Sequence, residues 1–252
     1  MESISQFLLM RQEVALIAAF LLMFTADLFI SEKHKKLLHP IACILLLLQA
    51  VVAIRPYEVT LFGGMYHSTP IASVLKTILS FGTVIVFLQS TEWLDRQDAR
   101  HKTGEFYVLA MSTLIGMYFM ISAGHFLLFF LGLELATVPM ACLVVFDKYK
   151  GNSAEAGAKF ILYALFSSGI FLYGVSLIYG AVGSLYFEDI NPMLHGCELQ
   201  ILALVFVFSG LAFKLSLVPF HLWTPDTYQG APTAVSGMLS AISKGAAAFA
   251  LM

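Results

Sequence analysis

Long apolar runs separated by short polar stretches fill the chain from about residue 10 to its end. A helix needs about 20 mainly apolar residues to cross roughly 30 Å of hydrocarbon, whereas a barrel strand would show alternation over about ten residues. The runs are continuous and of helical length, so they predict an all-α, polytopic transmembrane bundle. Eight spans are expected, at about 10–30, 38–54, 70–90, 104–122, 125–146, 155–180, 199–222 and 232–252.

The composition excludes a soluble protein. Of the 252 residues, 59% are hydrophobic and 12% are charged, and the mean hydropathy is +0.85. Soluble domains are nearer 45–50% apolar and about 25% charged. The net charge of −2 provides no electrostatic basis for binding nucleic acid. The lipid bilayer is therefore the expected surrounding, and no nucleic-acid partner is expected.

Basic residues are distributed unevenly among the loops, which predicts the orientation of the bundle. The loops after spans 1, 3 and 5 hold eight Lys and Arg residues, whereas the loops after spans 2, 4 and 6 hold only Arg55. Cytoplasmic loops carry the excess of positive charge. The N-terminus is therefore expected on the outer side of a bacterial plasma membrane, with an organelle inner membrane as the alternative.

Motifs for cofactors are not found in this sequence. Cys43, Cys142 and Cys197 are widely spaced, without a CxxC pair or a His at ligand spacing. No GxGxxG or Walker lysine is present. We expect no metal and no bound cofactor in this chain.

Charged residues inside the spans are the main candidates for function. Lys76, Lys159, Lys214 and Lys244 lie within predicted spans, and Glu134 is the deepest acidic residue. A charge at the bilayer centre costs about 2.5–3.5 kcal/mol even on the mildest scale. Several such charges in consecutive spans favour an internal polar path. A helical rise of about 1.5 Å per residue places the glutamate and the last two lysines near mid-membrane.

Each of these charges also has a plainer interpretation. Glu134, Lys214 and Lys244 could form a buried structural ion pair. Lys159 lies nearer the inner end of its span, and Lys76 lies near the outer end, where it could snorkel to the interface. We expect Lys76→Ala to have little effect. Asp27 is read in the same way, as interfacial or structural.

Pro219 follows Lys214 by five residues in span 7. Proline removes a backbone donor and clashes with the preceding turn, so an interruption is predicted between about residues 214 and 219, with unpaired carbonyls facing the interior. The alternative is that Pro219 merely ends the span. His221 and His125 could relay protons or could be hydrogen-bonded structural residues.

Several strings resemble the antiporter-like membrane subunits of respiratory complex I. Residues 214–233 read KLSLVPFHLWTPDTYQGAPT and continue to Ser243-Lys244, which resembles the family's broken-span motif. The sequence WTPDTYQGAP is similar to the corresponding motif of the N type of subunit, which is equivalent to mitochondrial subunit 2. The L and M types and the multisubunit cation antiporters usually read LPDA there. FLGLEL around Glu134 and EAGAKFIL around Lys159 are similar to the family's span-5 and span-6 motifs.

The resemblance implies a membrane-arm subunit of a proton-pumping NADH:quinone oxidoreductase, forming a proton half-channel. NADH, FMN, Fe–S clusters and quinone would then be bound by partner subunits, and the neighbours would be antiporter-like subunit M and the small subunits K and J. The residues expected to translocate protons are Glu134, Lys214, Lys244 and Lys159, with His221 as a relay. Glu134 and Lys214 are expected to face each other or to be joined by water, with Lys159 close enough to compete for Glu134.

The resemblance also implies a longer protein. Family members have about fourteen spans, with two inverted five-helix repeats at spans 4–8 and 9–13. We expect residues 1–103 to form an N-terminal three-helix segment and residues 104–252 to form the first repeat, with the second repeat absent. Two other functions remain open: a cation/proton antiporter subunit without a redox partner, and a non-transporting membrane scaffold.

Overall fold

The computed structural model describes residues 2–95, 100–147 and 151–251. Arg96, Lys148 and Lys150, which contributed to the predicted orientation, lie outside these residues. Seven helices within the described ranges are long and apolar enough to cross a membrane. The all-α, polytopic fold predicted from the apolar runs is confirmed.

The first seven predicted spans correspond to these helices to within about seven residues at each end. A short helix, α1 (Glu2–Leu9), precedes them and was not predicted. The spanning helices are α2 (Arg11–Phe29), α3 (Leu38–Ala53), α4 (Pro70–Leu94), α5 (Thr103–Ile121), α6 (Phe126–Val144), α7 (Gly151–Val182) and α9 (Glu198–Leu215).

The remaining α-helices lie around and after α9, and short 3-10 segments lie earlier, at Glu32–Leu37, Phe62–Gly64 and Arg100–Lys102. A short helix, α8 (Phe187–Met193), precedes α9, and α10 (Trp223–Gly230) follows it. The eighth predicted span corresponds to a run of helical segments: α11 (Thr233–Gly237), a π-helical section (Met238–Ser243) and α12 (Lys244–Ala250). Sections of π-helix are rare and often occur at functional sites.

A β-hairpin closes one end of the bundle and was not predicted. Strands β1 (Val59–Leu61) and β2 (Tyr66–Ser68) pair antiparallel, and Gly63 and Gly64 between them have positive φ values of 65° and 95°. The hairpin binds the turn between α5 and α6, since the Gly124 amide donates to the carbonyl of Met65 at 2.8 Å. We call this the hairpin end.

Lysines mark the opposite end, which we call the basic end. Lys36 pairs with Asp95 at 3.1 Å, and Lys35 lies 3.7 Å from Asp27. Lys35 also donates to the carbonyl of His101. The Asp27 carboxylate therefore lies at the end of a helix, consistent with an interfacial position. Which end faces the outer side stays a prediction.

Helix α5 is the most enclosed of the spanning helices. Of its most apolar stretch, 67% is buried, compared with 28% for α2. It packs most extensively against α6, where Gly116 and Gly132 allow the backbones to approach closely. A Cβ atom at Gly116 would lie 2.3 Å from the Ala136 amide nitrogen. Small residues bring membrane helices together in this way, and α7 and α9 form the other extensive pair.

Candidate functional site

The predicted interruption of span 7 is confirmed. Helix α9 ends at Leu215, and Ser216 adopts a left-handed conformation with a φ of 59°. Two carbonyls just before the break are paired, and the expectation of unpaired carbonyls between residues 214 and 219 stays a prediction. The Phe213 carbonyl accepts from the Trp223 indole at 3.2 Å, and the Ala212 carbonyl accepts from the Leu217 amide at 2.9 Å. The last turn of α9 is therefore capped by the chain that follows it.

Lys214 lies one residue before the end of α9 and is buried. Its ammonium donates to the Thr137 hydroxyl on α6 at 2.6 Å. Long side chains on a helix point back toward its N-terminus, so the ammonium reaches into the membrane from the break. A buried ammonium held by a neutral hydroxyl keeps much of its desolvation cost, which makes the state of this group sensitive to nearby charge.

Glu134 lies three residues before Thr137, on the same side of α6, and is half-buried. Its carboxylate accepts a hydrogen bond from Ser168 on α7. No ion pair joins Glu134 to Lys214 in the described ranges, since each is held by a hydroxyl group instead. The expected meeting of the two side chains, directly or through water, therefore stays a prediction.

Thr137 and Ser168 were not singled out from the sequence, although the first hydrogen-bonds Lys214 and the second hydrogen-bonds Glu134. The available signal was their spacing. Thr137 is one helical turn from Glu134, and Ser168 belongs to the Ser167-Ser168 pair in an otherwise apolar stretch of α7. Both hydroxyls are buried. The hydroxyl of the neighbouring Ser167 donates to the Gly210 carbonyl at 2.7 Å, and this bond joins α7 to α9.

The expectation that Lys159 lies close enough to Glu134 to compete for it is wrong. Its ammonium binds Asp226 on α10 at 2.6 Å and Glu155 at 2.7 Å, and 39% of its side chain is exposed. Helix α7 has 32 residues and is therefore about 48 Å long. A helix of this length extends beyond the hydrocarbon layer. Lys159 lies toward its N-terminal end, beside a polar cavity of about 160 Å³.

Lys244 and His221 both lie near the chain that follows the break. The Lys244 ammonium lies 5.2 Å from the ring centre of Tyr228 and 6.0 Å from that of Trp223. It follows the π-helical section directly. In His221, which occupies the break itself, the buried Nδ1 atom has no hydrogen-bond partner among the described residues. This nitrogen is available to a mobile proton or to water.

His125, the second histidine considered as a relay, has structural contacts. It precedes α6 and its Nδ1 atom accepts from the Leu127 amide at 3.1 Å, which caps the helix. Its ring packs edge-on against Tyr186 at 4.6 Å. Burial lowers the pKa of His125. These contacts favour the structural interpretation that was left open.

Lys76 does not snorkel, and of its two plain interpretations, interfacial or structural, its contacts favour the structural one. Its side chain is fully buried and forms an ion pair with Glu13 of α2. The two residues are 63 positions apart, so the partner lies on a different helix. Clusters of three or more His, Cys, Asp or Glu residues able to hold a metal ion do not occur in the part of the chain that the structure describes.

The chain is a polytopic membrane protein, and a spanning helix broken beside a buried lysine is a feature typical of membrane transporters. The family model for "NADH:quinone oxidoreductase/Mrp antiporter, TM" matches residues 123–252, just over half of the chain. The chain belongs to this family, as the resemblance in the broken-span motif predicted.

Two bacterial relatives carry the name "NADH-quinone oxidoreductase subunit N". The protein from Phocaeicola vulgatus is 72% identical over 249 residues, covering 99% of this chain and 53% of the relative. The protein from Azobacteroides pseudotrichonymphae is 46% identical, covering 98% of this chain and 52% of the relative. The chain therefore spans about half the length of the curated relatives it matches.

Two solved structures share the fold. One is "Respiratory complex I from Thermus thermophilus with bound Aureothin", with a TM-score of 0.79, 28% identity, and coverage of 95% of this chain and 52% of that chain. The other is an archaeal membrane-bound sulfane sulfur reductase, with a TM-score of 0.74, 26% identity and the same coverage. Both structures are respiratory membrane complexes.

Proposed function

We propose that the chain is part of a subunit of the N type in a proton-translocating NADH:quinone oxidoreductase, where it forms a proton half-channel. The observation that carries this proposal is the buried Lys214 ammonium at the end of broken helix α9, held by a neutral hydroxyl with Glu134 one turn away. The names of the two bacterial relatives support the same function.

The proposed assembly supplies what this chain's residues do not. NADH, FMN, Fe–S clusters and quinone would be bound by partner subunits, and the neighbours would be subunit M and the small subunits K and J. We place the chain in a bacterial inner membrane with its N-terminus outside. Residues 104–252 would form the first five-helix repeat, after an N-terminal segment of three spans at 1–103.

The proposed step is a change of partner at Lys214. The Glu134 carboxylate leaves the Ser168 hydroxyl and turns along α6 toward the ammonium. A carboxylate beside a lysine favours its charged form, so forming and opening this contact loads and unloads one proton. The two groups then titrate as a coupled unit. His221, whose buried Nδ1 atom has no partner among the described residues, can accept the released proton beside the break.

The remaining two lysines would act on this pair from a distance. Lys244 faces the rings of α10 and would pass charge toward the second half of the subunit. Lys159 is held by Asp226, so it influences the pair only after leaving that carboxylate. The buried charges argue against a non-transporting scaffold, because a scaffold gains nothing from their desolvation cost.

The test uses inverted membrane vesicles that contain the assembled complex. We expect Lys214→Ala and Glu134→Gln to lower NADH-driven proton uptake per quinone reduced, while native gels show normal amounts of complex. Thr137→Val is expected to lower proton uptake as well, because it removes the oxygen that holds the ammonium. Lys36→Ala changes an exposed lysine at the basic end and serves as the matched control.

Normal proton uptake by Lys214→Ala in an intact complex would overturn the proposed role of the buried lysine. Cation/proton exchange that proceeds without NADH and quinone would instead identify an antiporter subunit. Loss of the complex from native gels in both Lys214→Ala and Glu134→Gln would show that the two charges have a structural role.

A further inference from the structure

A second buried charge pair lies between α2 and α4, near the hairpin end. Glu13 and Lys76 are 1% and 0% exposed, and the ammonium donates to Oε1 of the carboxylate. The Tyr66 hydroxyl of strand β2 donates to the other oxygen, Oε2, at 2.8 Å. Helical rise places Glu13 about 3 Å and Lys76 about 9 Å from the first residue of their helices, so the pair lies just inside the membrane.

The Lys76 ammonium has support besides Glu13. It lies 3.5 Å from the Tyr66 hydroxyl oxygen and 5.5 Å from the centre of that ring. The ring of Tyr118 on α5 lies 5.6 Å away. Aromatic faces stabilise a desolvated cation. These contacts offset part of the cost of an ammonium beside a neutral carboxyl, and Glu13 is the member of the pair that accepts a hydrogen bond from Tyr66.

A chain of hydroxyls leads from Glu13 toward water. The Tyr66 hydroxyl lies 3.3 Å from that of Tyr57, which is only half-buried in the loop before β1. Burial, and then the charge of Glu13, raises the pKa of Tyr57 and of Tyr66. Both phenols therefore stay protonated and can pass a proton without becoming charged themselves.

The opposite side of the pair is closed by neutral groups. The Tyr118 hydroxyl donates to the Lys76 carbonyl at 2.9 Å, and Ser80 lies 2.5 Å from that hydroxyl. Gln49 bonds both, and all three side chains are buried. These hydrogen bonds hold the backbone of Lys76 and place no further charge beside it. The pair therefore communicates with the hairpin end.

A permanent ion pair would not need this arrangement. Apolar side chains of similar volume would join α2 to α4 at less desolvation cost. A structural pair needs the Tyr66 hydrogen bond to Oε2, but it does not need the second hydroxyl, of Tyr57, that leads on to the surface. We propose that Glu13, Tyr66 and Lys76 form a second proton-binding site, which takes up one proton from water at the hairpin end through Tyr57 and is separate from Glu134 and Lys214.

Proton uptake proceeds in three linked transfers. A hydronium ion in the water at the hairpin end donates a proton to the Tyr57 oxygen and becomes water, the Tyr57 proton passes to the Tyr66 oxygen, and the Tyr66 proton passes to Oε2 of Glu13. Both tyrosines end neutral and Glu13 ends as a carboxylic acid. Lys76 keeps its proton throughout, so the site gains one positive charge, and release follows the same path in reverse.

The test labels the carboxyl in the assembled complex with dicyclohexylcarbodiimide, which adds to protonated carboxyls in apolar surroundings. We expect a Glu13 adduct, detected by peptide mass spectrometry, whose yield rises as the pH is lowered. Glu13→Gln abolishes the adduct. In Lys76→Met, the midpoint of labelling moves up by about 1–3 pH units, because the opposite charge that favours the carboxylate is gone. Tyr66→Phe moves it in the same direction.

Two results would overturn the proposal. Labelling in Lys76→Met but not in the unmodified complex at any pH at which the complex is intact would show a permanently ionised pair. Labelling of Glu13 only after denaturation, in all variants, would show that the site does not exchange with its surroundings. The readout needs neither NADH nor quinone, so it can succeed or fail independently of the proposed function. Glu134→Gln is expected to leave the labelling midpoint unchanged.

Discussion

Replacing Lys76 with Met removes one partner of the fully buried pair and leaves Glu13 without its counter-charge. Breaking a buried ion pair from one side costs about 3–5 kcal/mol, because the remaining charge stays desolvated. Met keeps most of the side-chain volume, so little of this cost comes from lost packing. The expectation from sequence, that loss of this lysine has little effect, is therefore reversed.

The remaining carboxylate can escape by taking up a proton, which limits the penalty. At pH 7, neutralising a carboxyl with an ordinary pKa of about 4.3 costs about 3.7 kcal/mol, and this cost is the upper limit of the destabilisation. The limit falls by about 1.4 kcal/mol for each unit by which the pH is lowered. At pH 6 the limit is about 2.3 kcal/mol, and at pH 8 it is about 5 kcal/mol. Lys76→Met should therefore recover about 1–3 kcal/mol between pH 8 and pH 6.

The opposite replacement reverses the pH dependence. Glu13→Gln leaves the Lys76 ammonium unpaired, and neutralising a lysine with an ordinary pKa of about 10.4 costs about 4.6 kcal/mol at pH 7. This limit falls as the pH rises, so Glu13→Gln should be less destabilised at pH 8 than at pH 6. The double variant, Glu13→Gln with Lys76→Met, carries no buried charge and should show little pH dependence.

The assay is thermal dissociation of the assembled complex, followed on native gels at pH 6, 7 and 8. Each variant is compared with the unmodified complex at the same pH, which removes the pH dependence of the other subunits. Lys76→Met should be closest to the unmodified complex at pH 6, and Glu13→Gln at pH 8. The reasoning fails if both single variants shift in the same direction with pH, or if Lys76→Met matches the unmodified complex at pH 8.

Three further predictions concern packing and positioning. Gly116→Val should prevent assembly, since even a Cβ atom would lie 2.3 Å from the α6 backbone, whereas Gly169→Val, where a Cβ meets nothing within 4 Å, should assemble normally on native gels. Ser168→Ala should lower proton uptake in vesicles at normal complex abundance, and equal uptake would exclude a positioning role for its hydroxyl. Asp226→Asn should leave assembly unchanged, because its pair with Lys159 is exposed, and should change the rate of proton uptake; an unchanged rate would separate this pair from translocation.

The spans were predictable because each helix must bury about 20 apolar residues in lipid, a signal that is local in the chain. The break after Lys214 was predictable for the same reason, since Pro219 acts on the turn that precedes it. The hairpin carried a weaker signal. Gly63-Gly64 marks a turn, but its strands have three residues each and lie between much longer apolar runs.

The partners of the buried charges were not predictable from the chain alone. Glu13 and Lys76 are on different helices, and apolar periodicity on a helix that faces both lipid and protein does not show which face meets which neighbour. The partner of Lys159 was missed in the same way, since Asp226 lies 67 residues further along the chain, on a helix whose position beside α7 the sequence does not show.

The two buried lysines differ in what holds them, and the difference matters for proton transfer. Lys76 is paired with a carboxylate and lies beside two aromatic rings, so its ammonium is compensated and the carboxylate is the group free to change. Lys214 is held by a neutral hydroxyl, with Glu134 bound elsewhere, so its charge is under-compensated and the lysine itself is the group that responds to an approaching charge. On the proposed mechanism, one bundle thus contains a carboxylate that binds a proton near the hairpin end and a lysine that exchanges one at the broken helix.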